Sequence, residues 1–181
     1  MSRMSNFSFV EDDILRGNIY TAFEHLMELV YLSDLPTYTS SLRSSFRKTA
    51  IVYTASIIEA LLVWFLKSMV SEENLTRETK SFKISRELYK INNQDRIVLG
   101  SHVVNIEPVK LGKINLGDIN TLCRDHSVIN EQIYKDVDKV RILRNRLHIG
   151  TLAAIDSEYS IKDLEFVFSV AREIKKIKST K

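Results

Sequence analysis

Cysteine occurs once in the 181 residues, as Cys123, so no intrachain disulfide and no cysteine-rich metal site can form. Proline occurs twice and glycine five times. With so few chain breakers, a β-sandwich or barrel, which needs many tight turns, is a poor fit, and long helices are favoured. Charge of one sign is also scarce: 26 Lys and Arg against 23 Asp and Glu leave a net charge of +3. That balance permits contact with nucleic acid without implying it. The first residues, MSRMSNFSFVEDD, contain no apolar run of signal-peptide length, and a reducing, cytoplasmic setting is expected.

One apolar run stands out. Thr49 to Leu66, TAIVYTASIIEALLVWFL, is close to the length of a minimal membrane span. Glu59 sits near its middle with Thr49, Tyr53, Thr54 and Ser56 around it, and a charge at a bilayer centre is costly. The run therefore reads as the core helix of a folded domain rather than as a span, with Trp64 and Phe65 as core or dimer contacts.

Apolar periodicity predicts a helix over Val10–Tyr31, broken before Pro36, and a long helix over about Ser40–Val70. SEENLTRETK reads as a polar loop and FKISRELYKI as a short helix. RIVLGSHVVNIEPVKLG is rich in β-branched residues, with Gly100 as a candidate hairpin turn, which suggests a small β insertion over about 91–117. Helices follow near Asp118–Arg124 and Val128–Ile149, the second stopped at Gly150. A last helix starts after the N-cap candidate Ser160, and a basic tail occupies 178–181. Together these predict one all-α domain, 1–181: an up-and-down bundle of four to five helices with a small β-hairpin or irregular insertion.

The densest collection of reactive side chains is RILRNRLHIG, Arg141–Gly150. On a helix turning about 100° per residue, Arg144 lies about −60° from Arg141, Asn145 about +40° and His148 about −20°. These four share one stripe, whereas Arg146 points away with Lys135 and Lys139 towards solvent. Guanidinium groups grip phosphate oxygens by paired hydrogen bonds and stay charged at any physiological pH. A histidine can exchange protons near neutrality, and an asparagine can orient a neighbour without adding charge. RNA cleavage without a metal needs little more. On the residues alone, a solvated basic helix face that happens to contain a histidine is the competing reading. Arg43, Arg47 and Lys48 are candidates to extend an RNA-binding surface, or form an ordinary solvated face. His25, His102 and His126 are dispersed without metal-ligand spacing, so neither a metal nor a cofactor is indicated.

The segment RNRLHIG resembles the signature of the HEPN superfamily (higher eukaryotes and prokaryotes nucleotide-binding domains). In its ribonuclease members an arginine, usually followed by a polar residue, precedes a histidine by four to six intervening positions. Arg144-Asn145 supplies the dipeptide but stands three residues before His148; Arg141 has six intervening residues but is followed by Ile142. TASIIEALLVWFL likewise resembles the family's apolar helix with a lone acidic residue, Glu59. A carboxylate in such a run needs a partner, and Arg141 and Arg144 are the candidates. The resemblance implies a helical bundle and a homodimer. It implies a metal-independent endoribonuclease, a toxin or phage-defence effector with an antitoxin or regulatory partner. Arg141 and Arg144 would hold phosphate, Asn145 orient, His148 act as acid or base, and Glu59 fix an arginine. The shorter RN-x-x-H form also resembles HEPN-like branches that serve as non-catalytic modules binding nucleotide, RNA or a partner protein. A small basic adaptor that binds nucleic acid without cutting it is a third reading.

Overall fold

The computed structural model describes residues 7–90, 96–146 and 158–177, with the side chains of 87–90 and 96–98 excepted. It is mostly helical with a two-stranded antiparallel hairpin. In chain order the elements are α1 (Asp13–Asp34), α2 (Ser40–Met69), β1 (Thr76–Lys90), β2 (Arg96–Pro108), α3 (Leu116–Asp125), α4 (Glu131–Asn145) and α5 (Ile161–Lys175). They divide into two compact units, a helical one of 1–70 and 113–181 and a hairpin one of 71–112.

Capping side chains set most helix starts. Asp12 Oδ1 accepts from the Leu15 amide at 2.9 Å, so α1 begins at Asp13 rather than Val10. It continues past Tyr31 to Asp34 and stops at Leu35, whose extended backbone (ψ 122°) is what the ring of Pro36 demands. Asn130 accepts from the Ile133 amide at 2.9 Å, which starts α4 three residues later than periodicity alone suggests. Val128 and Ile129 are buried ahead of that cap. Ser160 and Asp163 cap α5 reciprocally, as the Ser-x-x-Asp spacing requires.

The core of the helical unit is α2. Ala50, Ile51, Ala55, Ile58, Leu62, Phe65 and Leu66 are fully buried, and each large one contributes about 1.5–3 kcal/mol relative to exposure. A helix apolar on nearly every side must be surrounded. Ile19 and Leu26 of α1, Leu116, Ile119 and Cys123 of α3, Val137 and Val140 of α4, and Leu164, Val167, Val170 and Ile174 of α5 are the buried residues of the helices around it. Phe9 stacks on Phe65 and meets Trp64 edge-on, which assigns both aromatics to the core. The helix is long and apolar enough to cross a membrane (mean hydropathy 1.9), yet 61% of that window is buried inside the protein. Along α1 the apolar residues Ile19 and Leu26 are buried, whereas Ile14 is 79% exposed.

The insertion departs most from expectation. It begins at 71 rather than 91, and FKISRELYK, the described part of the segment read as a short helix, belongs to β1. Arg, Glu, Leu and Lys favour helices in isolation, but pairing with the β-branched β2 overrides that preference. Gly100 is not a turn. It lies inside β2 opposite Ile84, and a Cβ there would come within 2.6 Å of the Phe82 ring and 2.5 Å of the Lys83 carbonyl oxygen. The residue is glycine because an aromatic ring from the neighbouring strand occupies its space.

Removing the α5 cap in Ser160→Ala should cost about 1 kcal/mol and lower Tm by roughly 2–4 °C, read by thermal melting. Cys123 Sγ lies 3.8 Å from the Leu62 carbonyl oxygen, and burial pushes the thiol up to about 12. The thiolate, the reactive form, is therefore suppressed up to strongly alkaline pH. Thiol reagents should leave the native protein unmodified at pH 9 and label it rapidly in denaturant.

Candidate functional site

Glu59 is the one formal charge on α2 between Lys48 and Lys67, and it is met by α4. Arg144 Nη1 donates to Glu59 Oε2 at 2.6 Å, a short, charge-assisted hydrogen bond between residues 85 apart in sequence. The two side chains are 32% and 29% exposed, so the pair is neither fully solvated nor dry. Of the two candidate partners, Arg144 takes the carboxylate.

Arg141 turns elsewhere. Its Nε donates to Asp138 Oδ1 at 2.7 Å within α4. Its stem lies against Gly117 at the start of α3, where a Cβ would come 3.3 Å from Arg141 Cδ. One helical turn therefore sends two arginines to two different carboxylates. Asn145 is the last residue of α4 and half-buried. His148 and Gly150 lie outside the described residues, as does the end of the predicted Val128–Ile149 helix.

Arg146 corrects the solvent-facing assignment. It is half-buried, and its guanidinium carbon stands 4.3 Å from the centre of the Tyr159 ring, whereas Lys135 and Lys139 are exposed as expected. The face of an aromatic attracts a weakly hydrated guanidinium, which draws Arg146 out of the solvent-facing position its charge alone suggests.

Tyr159 is the residue that sequence reasoning missed. It is 2% exposed and links three elements. Its amide donates to Ser44 Oγ at 2.7 Å on α2, its hydroxyl donates to the Leu143 carbonyl at 3.2 Å on α4, and it directly precedes the α5 cap. Lys48 Nζ stands 5.3 Å from its ring centre, and Arg47 Nη1 donates to its carbonyl at 3.3 Å. An aromatic just before a capping box was the available signal, since a bulky residue at that position commonly pins the incoming chain.

Arg43, Arg47 and Lys48 are thus not one uniform solvated face. Arg47 also donates to the Ser33 carbonyl at 3.4 Å, which makes it a clamp between the end of α1 and the start of α5. Arg43 is half-buried with its Nε enclosed, and Lys48 addresses Tyr159. The site comprises the Glu59–Arg144 pair and a tyrosine that gathers Arg47, Lys48 and Arg146, the two joined along α4 because Tyr159 bonds to Leu143, the neighbour of Arg144. It is set apart from the apolar cavity of about 450 Å3 between α1, α2 and α5, whose lining includes Leu26, Ile57, Leu61 and Phe168 and neither member of the ion pair.

A double-mutant cycle with Glu59→Gln and Arg144→Gln should return a coupling of about 1 kcal/mol, falling in 1 M salt because a third of each side chain meets solvent. An equivalent cycle between Glu59 and Arg141 should return none. Comparison with protein-family models, with curated proteins and with solved structures found no match to this chain.

Proposed function

We propose that the protein is a metal-independent endoribonuclease of HEPN type, built on an up-and-down bundle and working as a homodimer in the cytoplasm. The reading rests on the Glu59–Arg144 pair. A lone carboxylate in a core helix holds one donor of a guanidinium that belongs to the Arg-Asn dipeptide of the motif. Such a contact fixes the guanidinium and uses one of its five N–H donors, which leaves others for a phosphate. Preorganised cations of this kind stabilise charge that develops in a transition state without reorganising when it forms.

In this mechanism the ribose 2′-hydroxyl loses its proton to a base and attacks the adjacent phosphorus. Arg144, with Arg141 and Arg146 nearby on the same helix end, carries the added negative charge of the crowded phosphorane. The bond to the 5′-oxygen breaks as that oxygen is protonated. The products are a 2′,3′-cyclic phosphate and a 5′-hydroxyl. His148 is the residue of the motif suited to the proton transfers, and Asn145 to orientation. Lys48 and Arg43 would receive flanking phosphates. Arg47 is a weaker candidate for that role, because its guanidinium is already engaged by two carbonyls. An antitoxin or other regulatory protein is the expected partner of such an enzyme.

The same ion pair favours a second reading, a non-catalytic HEPN-like module. A 2.6 Å contact neutralises much of the charge of Arg144, and Arg141 is occupied by Asp138. In that case the cluster would be a structural polar network.

Purified protein should cleave mixed RNA in EDTA, leaving 2′,3′-cyclic phosphate ends, and His148→Ala should lower the rate by at least about 100-fold with an unchanged melting temperature. Equal behaviour of wild type and His148→Ala would count against the enzyme. A loss of more than about 1 kcal/mol in both His148→Ala and Arg144→Ala, without cleavage by the wild type, would favour the structural module.

A further inference from the structure

The hairpin unit takes no part in that reading, and it presents a surface that is unusual for an exposed element. Opposed residues of an antiparallel pair share a face. One face of the hairpin carries Phe82 opposite His102, Ile84 opposite Gly100, Lys80 opposite Val104 and Glu78 opposite Ile106. Phe82, Ile84, Val104 and Ile106 on it are 46%, 48%, 51% and 70% exposed. The other face is mostly polar over the same stretch, with Arg77 opposite Glu107, Thr79 opposite Asn105, Lys83 opposite Ser101 and a single apolar residue, Val103, opposite Ser81. A two-stranded hairpin is marginal in water, whereas a sheet of three or more strands with an apolar face is stable.

The two outer edges differ in charge. β1 carries Arg77, Glu78, Lys80, Lys83, Arg86, Glu87 and Lys90. β2 carries only Arg96 and Glu107, at its two ends. Between them Ile97–Ile106 contains no Asp, Glu, Lys or Arg and no proline, the residues by which natural edge strands are kept from pairing with another chain. Neither strand has a second strand partner among the described residues. One edge is guarded and the other is open.

We propose that β2 is a self-association edge: two copies of this chain pair β2 with β2 antiparallel about a two-fold axis, forming a four-stranded sheet in the order β1-β2-β2-β1. Three alternatives can be weighed on the same charges. Pairing β1 with β1 would bring Lys80, Lys83 and Arg86 of each copy together, which like charges oppose. Pairing β1 with β2 is head-to-tail and does not close, leading to open chains rather than a defined oligomer. Pairing β2 with β2 satisfies the two-fold requirement that the same patch serve both copies, buries the unguarded edge, and leaves the charged β1 strands outermost. It also extends the apolar face continuously across both hairpins. The proposal does not depend on the ribonuclease reading, because Glu59 and Arg144 belong to the helical unit.

Sedimentation of the full chain over a concentration series tests it. The wild type should be dimeric at micromolar concentration, and Val104→Lys with Ile106→Lys should weaken association at least 10-fold with unchanged helical circular dichroism. A wild type that stays monomeric overturns the proposal, and so does a double variant that dimerises as tightly as the wild type, since the contact would then lie elsewhere. Because Cys123 is buried, an introduced cysteine is the reactive thiol in the folded chain. Among S101C, V103C and N105C, at least one should form an interchain disulfide under mild oxidation, and K83C on β1 should not. Crosslinking of K83C alone would also overturn it.

Discussion

Every helix of the bundle answers to the need to cover α2. A 30-residue helix with buried residues on nearly all sides cannot exist in water unless other chain surrounds it. Once α2 is covered, its one carboxylate loses part of its contact with water, and a partly desolvated charge needs a partner. Arg144 resolves that conflict. Loss of the pair would therefore be felt as a misfit between α2 and α4 as well as a lost contact. The position of the Arg-Asn dipeptide in space is a by-product of keeping α2 dry.

Tyr159 performs the complementary task at the other end of the same contact. The start of α5, the end of α4 and the first turns of α2 bring Arg47, Lys48 and Arg146 to this one residue. The ring gives Lys48 and Arg146 a common neighbour that is not charged, and its carbonyl and hydroxyl link Arg47 and Leu143. Positive charge can then accumulate within a small region without dismantling the bundle.

Much of this was legible in the sequence. The core helix, the Ser160 cap, the break before Pro36 and the need of Glu59 for an arginine all follow from local rules: periodicity, capping and desolvation. What sequence could not separate was Arg141 from Arg144, because a 60° difference on a helix is decided by where α3 and α2 lie. Arg146 reads as solvent-facing because nothing local announces an aromatic thirteen residues later. The hairpin insertion itself was legible in the β-branched residues of β2, but its first strand was not. FKISRELYK is helical by composition and a strand by partnership, and Gly100 looks like a turn until the Phe82 ring is seen over it. Long-range pairing leaves little trace in a single strand.

The insertion also has a topological consequence. Thr76 pairs with Pro108, and the Val109 amide bonds to the Leu75 carbonyl at 2.8 Å, so the chain leaves the hairpin about one strand spacing from where it entered. A segment whose two ends coincide can be lengthened, shortened or exchanged while the spacing its flanking helices must bridge stays the same. The route from α2 to α3 is thus a position where the length of the arm is uncoupled from the packing of the core that carries Glu59.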